Sequence, residues 1–395
     1  MLAYREMGML TGLKKLSFIY FSFALTSTGL SQESETQVQR ALLSESHWAS
    51  PRASSMAGAI SPIAEGLDAS YYNPAGVGGI TKEGNRPAIH RLYFPYFSTA
   101  VNNNTIDLSG DISQASNLED PVVIEQILNA FDNQRQYGRF SIVPSITFFR
   151  TQLSYVFDTQ VAAAAIDSSR DQVDLESRTV TGPSIAFSFA NGSKTFSFGL
   201  FAGFFNREET AGEFSFVDLN NPETRPDILK SGRQTYEGTP IHTGINWVIG
   251  KKWRPSLAIA FKNVGGTKYR NKNTDNEDIK VAEDLTLGFS TTPKLGKWGH
   301  LSFVTEAHEL SNSDKATSKK LRAGLEFNLV SNPGNRAGFS LRSGYNSAGA
   351  SFGLGMNLGL IGINAASFAE DVGVNNKRVI ERRFVLDFAV NVADF

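Results

Sequence analysis

Residues 194–206 read KTFSFGLFAGFFN, and this stretch decides how the rest of the chain is interpreted. Every second residue from Phe196 to Phe204 is apolar, and most of the residues between them are serine or glycine. A period of two is that of a β-strand, whose successive side chains point to opposite faces of a sheet. The stretch therefore predicts a strand with one apolar face, and it predicts that Phe201 and Phe205 point to the other face.

The same alternation recurs from about residue 88 to the end of the chain. Glycine, serine, asparagine, arginine and glutamate occupy the positions between the apolar ones. The pattern predicts about 14 strands of about 10–14 residues, longer than the roughly 5–6 residues usual in soluble sheets. The clearest further examples, counted in steps of two, are residues 185–189, 257–261, 321–329, 339–345, 352–358 and 384–392.

Short and long connections between these segments alternate along the chain. Short ones fall near residues 150–151 and 359–360, and long ones over residues 102–137, 207–235 and 265–281. In an up-and-down barrel this alternation places all the long loops at one end and the tight turns at the other. The sequence thus predicts an all-β fold, an antiparallel up-and-down transmembrane β-barrel over residues 87–395, with both termini at the short-turn end.

Composition excludes several other classes of protein. The 395 residues include 38 Lys plus Arg and 39 Asp plus Glu, so the formal net charge of -1 argues against a nucleic-acid partner. The absence of cysteine excludes disulfides and thiolate metal sites. The 29 phenylalanines stand beside a mean hydropathy of only -0.21, which favours many strands with one apolar face over long apolar helices.

The first 31 residues have the pattern of a secretory signal peptide. Basic residues precede an apolar run at residues 16–25, and small residues end the segment at Ser31. We expect cleavage near Ser31 and export of the mature chain. An uncleaved membrane anchor is the alternative, although the run is shorter than the roughly 20 residues of a spanning helix. The start codon stays open among Met1, Met7 and Met9.

Residues 32–86 do not alternate, and we expect them to form a short N-terminal plug in the lumen. Residues 53–80 read ASSMAGAISPIAEGLDASYYNPAGVGGI, which is rich in small residues and turn formers. Such a composition predicts a compact segment that the wall can approach closely.

This segment resembles the N-terminal signature of the FadL/PorV superfamily of outer-membrane barrels. Residues 255–265, PSLAIAFKNVG, and residues 341–346, LRSGYN, resemble strands of its PorV-like branch. The resemblance implies a 14-stranded barrel with an N-terminal segment in the lumen. It also implies uptake of hydrophobic compounds in FadL-like members, secretion or surface attachment in PorV-like members, and conjugation in TraF-like members. The signature residues are Gly58, Asp68, Asn73, Pro74, Ala75 and Gly76.

Charged residues cluster at predicted inward positions of three consecutive strands. Opposite charges on neighbouring strands can pair inside a lumen. We expect these residues to hold the wall and the plug together, and a polar step on a solute path is the alternative. The cluster consists of Glu306, His308, Arg322, Glu326 and Arg342.

The first long connection contains a predicted helix. Asp120 is a suitable N-cap, Pro121 suits the first helical turn, and apolar residues follow at helical spacing. The helix either packs on neighbouring loops or forms a lid or apolar capture site at the barrel mouth. Its apolar face consists of Ile124, Ile127, Leu128 and Phe131.

Basic residues of the predicted outer loops are candidate contacts for lipopolysaccharide phosphates. Catalytic signatures are weak, because the G-x-S-x-G match around Ser351 lies in a predicted strand pair and not on a strand-to-helix elbow. We therefore expect no enzyme activity, no cofactor and no metal. The basic loop residues are Arg207, Arg225, Lys230, Arg233, Lys268, Arg270 and Lys272.

Two functional hypotheses follow for a protein of the outer membrane of a Gram-negative envelope, and a third places the chain outside the membrane. The first is a PorV-like scaffold that holds a secreted or envelope protein. The second is a FadL-like channel for hydrophobic compounds such as long-chain fatty acids, which predicts an apolar pocket between the plug and Phe201 and Phe205. The third is a soluble secreted β-sandwich. Expected partners are outer-membrane lipids with lipopolysaccharide, and either a protein or a hydrophobic ligand.

Overall fold

The computed structural model describes most of the chain from residue 50 onward. The described ranges are 50–77, 91–107, 134–167, 172–215, 221–272, 277–372 and 378–393, without positions 192, 194, 222, 225, 226, 228, 229, 231, 251, 252, 297, 298, 314, 333 and 334. The predicted signal peptide and the predicted mouth helix with Ile124, Ile127, Leu128 and Phe131 lie outside the described residues.

Within the described ranges, nineteen strand segments build the wall, and they are numbered here in chain order. They are β1 Arg91–Asn102, β2 Arg135–Ile142, β3 Ser145–Phe148, β4 Thr151–Asp167, β5 Gln172–Ala190, β6 Phe196–Gly203, β7 Phe205–Ser215, β8 Arg233–Gly238, β9 Ile241–Val248, β10 Ser256–Lys262, β11 Thr267–Asn271, β12 Ile279–Val281, β13 Asp284–Thr291, β14 Gly299–Ala307, β15 Leu321–Asn332, β16 Asn335–Asn346, β17 Gly349–Leu358, β18 Ile361–Asp371 and β19 Ile380–Ala393.

These segments form one closed antiparallel barrel of 14 strands, as the sequence predicted. Five barrel strands consist of two consecutive segments each: β2 with β3, β6 with β7, β8 with β9, β10 with β11, and β12 with β13. The last strand pairs with the first from Arg91↔Ala393 to Asn102↔Arg383, which closes the sheet. The start of β1 and the end of β19 lie at the short-turn end of the barrel. Arg91 pairs with Ala393 on one side and, on the other, with Thr147 close to the tight turn before β4.

The wall continues through the interruptions. Between β2 and β3, Pro144 has no N–H to donate, yet Val143 N donates to Tyr96 O at 3.2 Å and Tyr155 N donates to Pro144 O at 3.1 Å. The main-chain groups next to this interruption therefore still find partners on the neighbouring strands. This matters because a bilayer offers no water to replace a lost ladder bond.

The predicted long loops are partly strand. Residues 207–215 continue β7, residues 233–235 begin β8, and β11 and β12 occupy much of the range 265–281. In the same sector β4 has 17 residues and β5 has 19, which exceeds the predicted length. Sequence alternation fails there because the extension of β4 is apolar on both faces (residues 161–166, VAAAAI), whereas that of β7 is mostly polar on both faces (residues 207–213, REETAGE). Neither stretch has a hydrophobic period of two.

The two faces of the wall differ as the alternation predicted. Phe196, Phe204, Phe352 and Leu386 are exposed on the exterior, while Ser197, Phe201, Phe205 and Ser351 are buried in the interior. A closed barrel with an apolar exterior is suited to a bilayer. Among the described helices, none has the length and apolarity needed to cross a membrane.

The helices near the start of the described chain lie inside the barrel. They are α1 Pro51–Ser55, the 3-10 turn Ser61–Ile63, α2 Leu67–Tyr72 and the 3-10 turn Pro74–Gly76; α3, Thr317–Lys320, precedes β15. Residues 50–77, called the plug below, contribute buried side chains such as Met56, Ile60 and Leu67 to the lumen core. The core of this fold is therefore the space between plug and wall.

A cysteine pair across the closing seam tests the closure. Ala100 and Val385 are direct partners on β1 and β19, so Ala100→Cys with Val385→Cys should form a disulfide that changes migration on a non-reducing gel. The chain has no other cysteine to interfere. Ala100→Cys with Ala366→Cys is the matched control, because Ala366 faces Val385 one strand further away and should not bridge. A disulfide in the control but not in the seam pair would contradict this register.

Candidate functional site

An ion-pair chain joins the plug to the barrel wall. Ser50 caps α1, and its side chain accepts a hydrogen bond from Ala53 N, which fixes the direction of the helix that carries Arg52. Arg52 Nε donates to Glu326 Oε1 at 2.9 Å and Arg52 Nη2 donates to Glu326 Oε2 at 2.7 Å. Arg342 Nε also donates to Glu326 Oε1 at 2.9 Å. Glu326 is 1% exposed, so both cations are needed to compensate a buried carboxylate.

The chain of polar contacts continues around the wall. Arg342 Nη1 donates to Asn364 Oδ1 at 3.0 Å, and Asn364 Nδ2 donates to Asp387 Oδ1 at 2.8 Å. Tyr96 Oη donates to Asp387 Oδ2 at 2.5 Å, which brings the network to the first strand. The network thus spans both sides of the β1–β19 closing seam.

The Arg52 guanidinium has a raised pKa. Burial alone would lower its pKa, but the Glu326 carboxylate, with smaller contributions from Glu65 and Asp68, raises it above its ordinary value. Burial likewise raises the pKa of the Tyr71 phenol to about 12. The plug therefore presents Arg52 to the wall as a permanent cation and Tyr71 as a neutral phenol.

A second polar cluster holds the 3-10 turn that begins at Ser61. Ser61 N donates to Glu306 Oε1 at 2.5 Å, and Glu306 Oε2 lies 2.5 Å from His308 Nε2. His308 Nδ1 lies 3.3 Å from Thr286 Oγ1. All three wall side chains are buried, and Pro62 of the same turn packs beside Glu306 near Gly288. The carboxylate here binds the plug backbone and does not face an open space.

The predicted charge cluster is therefore divided. Glu326 and Arg342 join Arg52, while Glu306 and His308 hold Ser61. Arg322 belongs to neither group. Its guanidinium lies 3.9 Å from Glu309 and beside Gly58, where a Cβ would come within 2.3 Å of Arg322 Nη1.

The signature residues of the plug occupy its contact with β6 and β9. Asn73 is fully buried; its Nδ2 donates to Ser61 O at 3.1 Å and to Ile245 O of the wall at 3.3 Å. Its Oδ1 accepts from Ala75 N at 3.1 Å and so caps the turn that begins at Pro74. The side chain of Asn73 therefore holds plug and wall in one geometry.

The remaining signature residues lie at close contacts. Asp68 Oδ2 lies 3.9 Å from Arg52 Nη1. Gly58 has φ of 84°, a conformation that favours glycine. A Cβ on Gly76 would lie 2.0 Å from Ala64 O, so only glycine fits there.

Wall glycines form the surface against which the plug backbone packs. A Cβ on Gly344 would lie 2.2 Å from the carbonyl carbon of Met56, and one on Gly244 would lie 1.9 Å from Asn73 Oδ1. Neither contact, with the backbone of Met56 or with the side chain of Asn73, leaves room for a methyl group. The wall glycines that contact the plug in this way, here called the glycine seat, are Gly199, Gly244, Gly288, Gly324, Gly344 and Gly353.

Aromatic rings fill the contact between α2 and β6. Phe201 stacks on His242 with ring centroids 4.7 Å apart, and Tyr71 of the plug lies 5.3 Å from Phe201. Phe201 and Phe205 are 1% and 2% exposed. These two rings point inward as predicted, but they are packed against neighbouring side chains.

Sequence reasoning missed Arg52 and the glycine seat. Residues 32–86 lack periodicity, so no sequence pattern shows that Arg52 faces the wall. The glycines of the seat stand at inward positions of alternating strands. Glycine at several inward positions is the sequence signal from which a close approach to the wall could be predicted. The prediction that Arg207 belongs to an exposed outer loop is wrong. Arg207 lies on β7, is buried, and pairs with Glu209 at 2.6 Å.

No protein-family model matches the chain, and no curated protein matches it. Among solved structures, the chain is similar to the toluene transporter TodX of Pseudomonas putida, with a TM-score of 0.48, 10% identity, and coverage of 91% of this chain and 99% of that chain. It is also similar to CdiB from Acinetobacter baumannii, with a TM-score of 0.36, 8% identity, and coverage of 77% of this chain and 60% of that chain. A FadL homologue of Pseudomonas aeruginosa matches with a TM-score of 0.28, 10% identity, and coverage of 90% of this chain and 99% of that chain. Similarity at this level does not indicate what this chain binds or transports.

Removing the plug cation should loosen the plug. Arg52→Ala deletes two charge-assisted hydrogen bonds and leaves Glu326 with Arg342 alone, so we expect the free energy of unfolding to fall by about 2–3 kcal/mol. The denaturant midpoint, read from the intensity of the folded band on a gel, measures the change in stability. The rate of protease cleavage within residues 50–77 measures the loosening of the plug. Lys268→Ala, which removes an exposed ion pair with Asp278, is the control. Equal midpoints for both variants would show that Arg52 does not hold the plug.

A methyl group on the glycine seat should displace the plug. Gly344→Ala places Cβ within 2.2 Å of Met56, so we expect faster protease cleavage of the plug while the barrel stays folded. Gly138→Ala is the matched control, since a Cβ at that strand position would meet nothing within 4 Å. Equal cleavage rates in the two variants would contradict the close approach.

Proposed function

We propose that this chain is an outer-membrane barrel of the PorV/FadL type that is closed at rest and acts as a non-enzymatic scaffold for a secreted or envelope protein. The observation that carries this proposal is the plug itself. Buried charges, the glycine seat and stacked rings attach it to the wall on many sides. Because the plug occupies the lumen, the two ends of the barrel are the surfaces that remain for a partner protein.

The uneven height of the wall supports a protein partner. A bilayer requires only about 9–11 residues per strand, whereas β4 and β5 have 17 and 19. Their extensions project at the long-loop end together with β7, β8 and β11, and these three neighbouring segments carry exposed charges. Lys272 pairs there with Glu237, and Arg233 lies 3.5 Å from Glu208. Charged surfaces of this kind give specificity to protein association.

Uptake of hydrophobic compounds is the second candidate. The contact of Tyr71 with Phe201, which itself stacks on His242, supports it, because a shift of the segment around Asn73 would expose an apolar surface in the lumen. In this mode the plug would move, and long-chain fatty acids or similar molecules would be the ligands. Signal-peptide cleavage near Ser31 and residence in the outer membrane belong to both proposals.

Conductance separates a closed barrel from an open one. In planar bilayers the mature protein should show no steady conductance, because the plug occupies the lumen. Gly344→Ala should conduct, since its plug is displaced, and Gly138→Ala should stay closed. Steady conductance of the unaltered protein would contradict the closed resting state.

Co-purification separates scaffold from channel. From its own membranes in mild detergent, the protein should retain a stoichiometric envelope or secreted protein by mass spectrometry. Lys268→Glu with Lys272→Glu, on the projecting wall, should lose this partner, while Lys294→Glu at the short-turn end should keep it. A stoichiometric apolar small molecule without a protein would favour uptake and contradict the scaffold.

A further inference from the structure

An apolar groove of about 550 Å³ runs along the exterior of the barrel over β18. The outward residues of β18 are small here, whereas those of the two neighbouring strands are large. Ser367 lies between Phe352 and Phe384, and one row further down Ala365 lies between Leu354 and Leu386. The strand register therefore produces the groove, because it places small residues of β18 between large residues of β17 and β19. The floor of the groove is β18, and its sides are β17 and β19.

Two guanidinium groups lie at the end of this groove nearest the long loops. Arg382 is the next outward residue of β19 beyond Phe384, and its Nη1 donates to Ala350 O of β17 at 2.7 Å, so the side chain crosses over β18. Arg378 Nη2 donates to Ser347 O. Among the described residues, neither arginine forms an ion pair. Each keeps further N–H groups for an anion.

The nearby carboxylates bind other groups: Glu370 and Glu381 bind the inward Arg383, and Asp371 binds Lys319 at 3.1 Å and accepts a hydrogen bond from Val379 N at 3.1 Å. A positive rim above an apolar groove is complementary to a molecule with an anionic head and an acyl chain. Guanidinium groups bind phosphate oxygens with two parallel hydrogen bonds.

We propose that this exterior groove is a binding site for lipid A, the acylated and phosphorylated anchor of lipopolysaccharide. One acyl chain lies over Ala365 and Ser367, and the phosphates bind Arg378 and Arg382. A lipid with two phosphates matches two separate arginines better than a phospholipid with one. The site rests on the proposed location in an outer membrane, because it faces the outer leaflet when the long loops are outside.

Native mass spectrometry of the purified mature barrel tests the site. The probe is lipid A with two phosphates, added in detergent, and the readout is lipid bound per barrel. Arg378→Gln with Arg382→Gln should lower the occupancy about tenfold, as expected for the loss of charge-assisted hydrogen bonds. Ala365→Phe, which fills the floor of the groove, should lower it as well. Lys280→Gln, at an exposed lysine of β12 at the same end, should leave it unchanged.

The other arms decide between sources of phosphate. Lipid A with one phosphate should bind more weakly, and phosphatidylglycerol should bind weakest. Equal occupancy in the double variant and the unaltered protein, or phosphatidylglycerol binding that matches lipid A, would overturn the proposal. Heat-modifiable migration shows that each variant is folded. Membrane fractionation of the cells tests the outer-membrane location separately, so its failure is distinguishable from absence of lipid A binding in detergent.

Discussion

The structure depends on one constraint, which is that every main-chain N–H and C=O of the wall must find a partner without water. Hydrocarbon offers none, so a membrane sheet must close on itself. The pairing of β19 with β1 satisfies this condition. Closure into one sheet then separates the side chains into an exterior set and an interior set. The period of two that is visible in the sequence is the direct consequence.

Closure creates a second requirement, because the interior of a 14-stranded barrel has to be filled or left to water. Here described side chains of the wall and the plug fill it together. The plug contributes Met56 and Ile60 as apolar volume and Arg52 as charge. The wall has glycines where the plug is close and Glu326 where it contacts the Arg52 guanidinium. Wall and plug are therefore parts of one core, and neither has a complete core alone.

This mutual dependence explains which parts of the site could be predicted. Glu306, Glu326 and Arg342 were found from sequence because charge at inward positions of a barrel strand is conspicuous. Their partners on the plug were not predicted, because Arg52 and Ser61 belong to a segment without periodicity. The predicted single cluster is divided for the same reason, because the plug brings Arg52 to Glu326 and Arg342 and brings Ser61 to Glu306.

Local alternation along the chain predicted the barrel, the number of its strands, the face of most side chains and the inward direction of Phe201 and Phe205. Any closed sheet must respect this alternation. The height of the wall around β5, the glycine seat, the burial of Arg207 and the groove beside Ala365 emerge only in the folded chain. Each of these depends on which residues are neighbours across strands or across the lumen, and register and plug position are not encoded in any single stretch of chain.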